Sequence, residues 1–531
     1  MKKLPLGIQN FKEIIMGNYI YVDKTQFIYN LISNAKYNFL SRPRRFGKSL
    51  LLDTISVVFG GDREIFKGLW IYDSDYNFEK HPVIRLDMSN IANKTPDILE
   101  DSLASNILKR IQEENLDIND KIPSDMFKRL IEDLHKKYGQ RVVVLIDEYD
   151  KPILDHINDT KTAAANRNVV RGFYGILKSM DPHLEFTFIT GVSKFTRTSI
   201  FSELNNLFDI TLNEKYSNIC GITTDDLDKY FGEYIKRLSS KKSFLSYDNL
   251  HSEILAWYDG YSWDGETRVL NPFSLLSFFM QERFAAFWYA SGTPRFLLDL
   301  IKKKPESYTN YEKIEMTEYM LDSYDIERIE ILPLLFQTGY LTIKEIIFSM
   351  DEPIYVLDIP NNEVNRAFNM HIISELTENG EVRTGQMRMG INTALQTGDL
   401  TKMLDILRSF FASIPYNLHV DREAYYHSIF YALMSALGFD VDVEVSTSKG
   451  KVDAVLELAD KIYVMEFKYV KCQPEEKPEI KQKLFEEALN SAIDQINAMG
   501  YGNKYSGSGK TIYQAAFAFL GRDEIELRIK N

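Results

Sequence analysis

The run Arg141-Val-Val-Val-Leu-Ile-Asp-Glu148 restricts the fold of this chain more than any other stretch. Its apolar, mostly β-branched residues lack polar alternation, as expected for a strand covered on both faces in a parallel sheet. Two acids close the run, at the strand end where open α/β sheets hold their ligands. Similar strand-like segments lie at Asn38 to Ser41, Val83 to Met88, Phe186 to Gly191 and Leu207 to Leu212, with amphipathic helical patterns at Pro96 to Glu113 and Ser124 to Lys137. Strands alternating with helices predict a doubly wound α/β sheet over the first two hundred residues.

The first of these strands runs into Arg42-Pro-Arg-Arg-Phe-Gly-Lys-Ser49, and a helical pattern follows from Leu50 to Phe59, closed by Gly60-Gly61. A G-x-x-x-x-G-K-[ST] loop surrounds phosphates with backbone N–H groups, sets a lysine against the β- and γ-phosphates and puts a hydroxyl on Mg²⁺. Gly47, Lys48 and Ser49 match, while Arg42 stands where the first glycine is expected. Together with the acidic strand end, this is the two-part pattern of an ATP site. Ser49 and Asp147 are expected on Mg²⁺, with Glu148 placed to orient or deprotonate the attacking water. Thr190, at the next strand end, is a candidate reporter on the γ-phosphate. Arg44, Arg45 or Arg197 could offset transition-state charge.

The chain has 531 residues, enough for three or four domains of about 150 residues each. A formal charge of −13 opposes indiscriminate coating of nucleic acid. It leaves room for a local basic groove near Arg42, Arg44, Arg45 and Lys48, or near Lys449, Lys451, Lys468 and Lys471. Cys220 and Cys472 are too few for a disulfide framework or a cysteine zinc site. The N-terminus lacks a signal-peptide apolar region, and the longest apolar patch, Pro272 to Met280, is about half the length that crosses a bilayer. The chain therefore reads as cytoplasmic, with no membrane partner.

Helical patterns continue at Thr223 to Leu238 and Leu250 to Tyr258, and the aromatic-rich stretch Tyr258 to Trp288 reads as a packed lid. From Ile331 to Phe368 a short helix precedes two segments able to form a hairpin. Near the C-terminus, a helix from Arg422 to Leu437 leads to three strand patterns, Phe439 to Val445, Lys451 to Leu458 and Lys461 to Tyr469, joined by short turns as a meander. Alternation puts Glu466 and Lys468 on one face, and antiparallel pairing brings Asp453 to them. An Asp and a Glu holding Mg²⁺ or Mn²⁺, beside a Lys able to position or activate water, make a phosphodiester-hydrolysis site. Glu423, which shares a helix face with His427, or Glu444 would complete the metal shell.

Taken together, Tyr21-Val-Asp-Lys-Thr25, Arg42 to Ser49, His81-Pro-Val-Ile-Arg-Leu-Asp87, Leu145-Ile-Asp-Glu-Tyr-Asp150 and Gly191-Val-Ser-Lys194 resemble the bacterial AAA-ATPase-like family. That family usually carries Arg-Pro-Arg-Arg-Phe-Gly-Lys-Ser as its loop, so the resemblance makes the absent glycine a family trait. Tyr258-Asp-Gly-Tyr261, Asn271-Pro-Phe-Ser274 and Ser291-Gly-Thr-Pro294 extend the match. The C-terminal constellation resembles the PD-(D/E)XK nuclease superfamily. Asp453, Glu466 and Lys468 occupy its signature positions, Val452 replaces a proline, and Gln495-Ile496 and Tyr501 follow an amphipathic helix.

The resemblances imply a multidomain α/β protein. Residues 1–215 would form a P-loop NTPase core on a parallel sheet, 216–320 a helical accessory region, 321–412 a helical or winged-helix-like connector, and 413–531 an α/β restriction-endonuclease-like domain. The expected function is ATP binding and hydrolysis that regulates a Mg²⁺-dependent nuclease acting on nucleic acid, with DNA as the expected substrate. The alternative is a nucleotide-dependent signalling or scaffold switch with a non-cleaving nuclease-like domain. A homo-oligomer is left open.

Overall fold

The computed structural model of the chain describes residues 1–194, 206–241, 245–288, 313–321, 330–348, 352–377, 381–414, 423–439, 441–446, 451–473, 475–499, 505, 507–521 and 524–530. Arg197, Ser291 to Pro294, Lys449 and Tyr501 lie outside them. The chain divides into two compact units, Met1–Phe296 with Glu312–Glu363, and Leu297–Tyr311 with Val364–Asn531.

The first unit is built on β1 (Tyr37–Ser41), β2 (Val83–Asp87), β3 (Val142–Asp147), β4 (Leu184–Gly191) and β5 (Phe208–Asp209), in the order β2-β3-β4-β1-β5. Every pairing is parallel. All residues of β3 are buried. Because successive side chains point to opposite faces, uniform burial requires cover on both, which is what its unbroken apolar run demands. The helices Lys48–Phe59 and Pro123–Tyr138 both pack on β3. β5 is shorter than the Leu207 to Leu212 pattern suggests, because the Asp209 carboxylate accepts the Thr211 N–H and turns the chain out of the sheet.

The helices Thr224–Ser239, Tyr247–Tyr258 and Pro272–Gln281 share an apolar cluster that includes Leu227, Phe231, Leu250, Ile254 and Phe278. The aromatic-rich stretch is therefore core, with Tyr261 and Trp263 buried. A smaller antiparallel sheet joins β6 (Ile314–Thr317), β7 (Thr342–Phe348) and β8 (Pro353–Asp358) in the order β6-β8-β7. Its β7–β8 hairpin follows the helix Ile331–Thr338, as the sequence suggests.

The second unit carries β9 (Val441–Ser446), β10 (Lys451–Glu457), β11 (Lys461–Val470), β12 (Thr511–Leu520) and β13 (Glu524–Lys530), in the order β13-β12-β11-β10-β9. The expected meander is β9 to β11, antiparallel throughout. β11 and β12 run parallel, joined through the helix Pro478–Met499. Ala488 and Ala492 on that helix meet Ala516 and Ala518 on β12, so small side chains let helix and sheet approach closely. Among the described residues, no helix is long and apolar enough to cross a membrane.

Candidate functional site

The loop Arg42 to Gly47 lies between β1 and the helix Lys48–Phe59. Gly47 has φ 91, a left-handed turn suited to glycine, and it directly precedes the helix N-terminus. The Ser49 hydroxyl donates to Asp147 Oδ2 at 2.6 Å, and the Thr190 hydroxyl donates to Oδ1 at 2.7 Å. The Glu148 backbone N–H also reaches Oδ1, at 3.0 Å. Two strand ends and the first turn of the helix Lys48–Phe59 thus meet on one carboxylate. Glu148 itself has φ 51, and burial pushes its carboxyl pKa up while Lys48 and Arg44 draw it back. Lys48 is buried and donates to the carbonyls of Arg42 at 2.8 Å and Pro43 at 2.9 Å. Burial lowers its pKa against the pull of Asp147 and Glu148.

Arg42 stands in the first-glycine position but does not face the phosphate side, and it belongs to no basic groove. It is buried, and its guanidinium donates to the carbonyls of Ser41 (2.9 Å), Thr211 (2.8 Å) and Tyr216 (3.3 Å) while stacking 3.9 Å from the centre of the Trp263 ring. Burial brings its pKa down to about 10. Arg42 is an internal brace between β1, the segment after β5 and the accessory region. Arg45 is exposed beside Phe273, and half-buried Arg44 contributes its carbonyl to Trp288.

Next to Gly47 opens a largely apolar cavity of about 100 Å³, lined by Tyr21, Val22, Leu50, Ile219, Cys220 and Leu276 among others. Lys24 also lines it and is tied to Asp226 at 2.9 Å. One stratum deeper, Asp150 accepts the N–H groups of Val192 (3.0 Å) and Ser193 (2.6 Å) and the Ser193 hydroxyl (2.6 Å), fixing the turn that carries Thr190.

In the second unit, Asp453 on β10 and Glu466 and Lys468 on β11 come together as their strand positions require. Asp453 Oδ2 accepts the Phe467 N–H at 2.8 Å, and Lys468 Nζ donates to Glu466 Oε1 at 3.2 Å. Glu466 is fully buried, and its Oε2 has no hydrogen-bond partner among the described residues. Burial, then the neighbouring Asp453, pushes its pKa up to about 7. Glu423 lies 3.9 Å from Lys468 Nζ and accepts the Tyr469 N–H at 3.1 Å. His427 approaches the Asp453 carbonyl through Nε2 at 2.8 Å. Glu444 lies on β9, its side chain outside the described ones. Among the described residues, no three His, Cys, Asp or Glu side chains are grouped as a metal cage. The donor set suited to a hard cation is therefore Asp453 and Glu466, whose unpartnered oxygen is the kind of group a cation satisfies.

Residues 5–201 match the family described as predicted AAA-ATPase, and residues 421–526 match the PD-(D/E)XK nuclease superfamily. A protein of Azotobacter chroococcum mcd 1, described as an uncharacterized protein in the vnfD 5' region, is 36% identical over 529 residues, covering 98% of this chain and 96% of that one. The chain belongs to the AAA-ATPase-like family with a PD-(D/E)XK nuclease-like domain. Among solved structures, the Aeropyrum pernix ORC2 protein aligns with 66% of this chain and 93% of its own at 10% identity and a TM-score of 0.25. The Drosophila ORC bound to GC-rich DNA and Cdc6 aligns with 78% and 61% at 10% identity and a TM-score of 0.24. Scores this low carry no functional argument.

In this AAA-ATPase-like chain the first unit gathers Gly47, Lys48, Ser49, Asp147, Glu148 and Thr190 at one end of the sheet, and the second gathers Asp453, Glu466 and Lys468. Sequence reasoning missed Asp150 and Trp288. Asp150 ends the quoted Leu145 to Asp150 motif, and its spacing from Asp147 was the available signal. Trp288 carried none, because its partner Arg44 is 244 positions away.

Proposed function

We propose that the first unit binds and hydrolyses ATP and that this cycle controls a metal-dependent nuclease in the second. The observation that carries the reading is that each unit draws from separate elements the carboxylates and cations its chemistry needs: Ser49, Thr190 and Asp147 beside Lys48, and Asp453 and Glu466 beside Lys468. At the first site the N-terminus of the helix Lys48–Phe59 and the Lys48 ammonium bind the phosphates. The apolar cavity beside Gly47 receives the base. Ser49 and Asp147 would hold Mg²⁺, and Thr190 keeps the Asp147 carboxylate in place. Glu148, with its raised pKa, takes the proton of the attacking water, and Arg44 and Arg45 balance phosphate charge. At the second site Asp453 and Glu466 would hold Mg²⁺ or Mn²⁺, and Lys468 draws the raised Glu466 pKa back and orients the water. Bound cations there supply Lewis acidity toward phosphoryl oxygens and a more acidic water. DNA is the proposed substrate.

The test pairs two variants. Lys48→Ala should lower ATP affinity by about 100-fold or more in calorimetry, a loss of about 2.7 kcal/mol. Lys468→Ala should leave ATP affinity unchanged and cut Mg²⁺-dependent cleavage of single- and double-stranded DNA and RNA by roughly 10²-fold or more. Cleavage equal in wild type and Lys468→Ala would reject the second site. The other reading, a nucleotide-dependent switch whose nuclease-like unit binds without cutting, draws on Glu423, which pairs with Lys468 instead of joining Asp453 and Glu466. Failure of the protein to bind Mn²⁺ in calorimetry would favour it.

A further inference from the structure

Of the motifs Tyr258-Asp-Gly-Tyr261 and Asn271-Pro-Phe-Ser274, the second sends Pro272 to the cavity beside Gly47 and Phe273 against Arg45. Part of the first motif lies instead against the segment that ends the first unit. Gly260 has φ 99, and a Cβ there would stand 2.2 Å from the Pro360 carbonyl oxygen, so only glycine lets these two backbones meet. Asn361 Nδ2 donates to the Asp259 carbonyl at 2.7 Å. Glu363 is buried and accepts the Trp288 backbone N–H at 2.7 Å. Its carboxyl lies beside the Ser274 hydroxyl, and the Tyr261 hydroxyl lies beside Asn361. Burying a carboxyl costs free energy unless donors meet it, so Glu363 is sensitive to where its donors stand.

The same residues grip the phosphate loop. Trp288 Nε1 donates to the Arg44 carbonyl at 3.1 Å, and the Tyr261 ring meets Phe46 edge-on at 4.7 Å. Trp288 therefore has its indole N–H on the loop and its backbone N–H on Glu363. Glu363 lies in the first turn of the helix Asn362–Thr377. That helix starts in the first unit, and from Val364 onward it belongs to the second.

We propose that Trp288 and Glu363 are positioning residues that pass the conformation of the phosphate loop to the helix Asn362–Thr377, and through it to the unit bearing Asp453, Glu466 and Lys468. The proposal rests on the nucleotide reading of the loop. Lys48 holds the carbonyls of Arg42 and Pro43. Transfer of its ammonium to a phosphate oxygen releases both. Arg44 is the next residue, so the shift reaches the indole that its carbonyl holds, then the Glu363 carboxylate held by the same tryptophan. A chain of hydrogen bonds with two discrete arrangements is the physical form coupling takes.

The experiment uses the full chain. ATP affinity is measured by calorimetry, and hydrogen exchange of residues 362–377 is followed with and without Mg·ATP, for wild type, Trp288→Phe and Glu363→Gln. Trp288→Phe keeps an aromatic ring against Tyr340, now 5.2 Å away, and deletes the indole N–H. Nucleotide should change exchange of this helix in wild type by about fivefold or more. Both variants should bind ATP as wild type does and lose that change. Variants that bind ATP and keep the exchange response overturn the proposal, as does a wild type that binds ATP without any response in the helix. A proportionate loss of ATP affinity in both variants overturns it too, by making these residues part of binding itself. A wild type that binds no ATP rejects the nucleotide reading, and the relay falls with it. If Trp288→Phe fails to fold, Glu363→Gln alone decides.

Discussion

At the loop before the helix Lys48–Phe59 both oxygens of Asp147 receive hydroxyl donors at 2.6 and 2.7 Å, whereas at the second site Glu466 is buried with one oxygen on Lys468 and the other without a partner among the described residues. The first carboxylate is organised by donors of the protein itself. The second has its pKa pushed up to about 7, by burial and then by the neighbouring Asp453. A site saturated by internal donors stabilises its fold. A site left unsatisfied takes stability from the fold until its ligand binds.

The largest expected effect tests the brace behind the first site. Arg42→Gly restores the missing glycine of the loop motif, yet it deletes three carbonyl bonds and the Trp263 stack. Chemical denaturation should show a loss of about 3 kcal/mol. An unchanged midpoint would mean that the buried guanidinium contributes nothing, and the contrast between the sites would weaken.

The contrast itself predicts opposite signs for two carboxylate variants. Asp147→Ala strands the Ser49 and Thr190 hydroxyls and should destabilise by about 2 kcal/mol. Glu466→Gln in the presence of a chelator removes a buried, poorly satisfied acid and should stabilise by about 1 kcal/mol near neutral pH. Adding Mn²⁺ should reverse the second comparison, raising the melting temperature of wild type and not of Glu466→Gln. Two shifts of the same sign in chelator would remove the distinction.

The smallest effect is a slope with pH. The ordinary value of 4.5 for Glu363 is raised to about 7 by burial. Below 4.5 folded and unfolded chains are both protonated, and between 4.5 and about 7 only the unfolded chain ionises, so this group's stabilising contribution falls with rising pH and levels off above 7. Glu466 acts with the same sign. Melting temperatures across that window should fall less steeply for Glu363→Gln than for wild type.

The strands of the first sheet, the helix after Gly47 and the β9 to β11 meander were legible because each is a periodic, local pattern. Asp453, Glu466 and Lys468 were legible for a related reason: one strand fixes two of them at a spacing of two, and a short turn sets the third opposite. The role of Arg42 was not legible. Its position in the loop suggests phosphate, while its actual partners, Thr211, Tyr216 and Trp263, come from segments far along the chain.

The sequence by itself determined the parallel sheet, the loop and the two sets of candidate catalytic residues, since short-range periodicity and strand alternation suffice for them. Only the tertiary structure decided which groups are satisfied. Ser49 meets Asp147 across 98 positions and Trp288 meets Arg44 across 244, and such meetings follow from how distant segments pack, on which local propensity is silent. Burial then turned carboxyl side chains into different chemical groups, one saturated by hydroxyl donors at Asp147 and two with raised pKa values at Glu363 and Glu466, because the free energy of a charge depends on the donors and solvent around it.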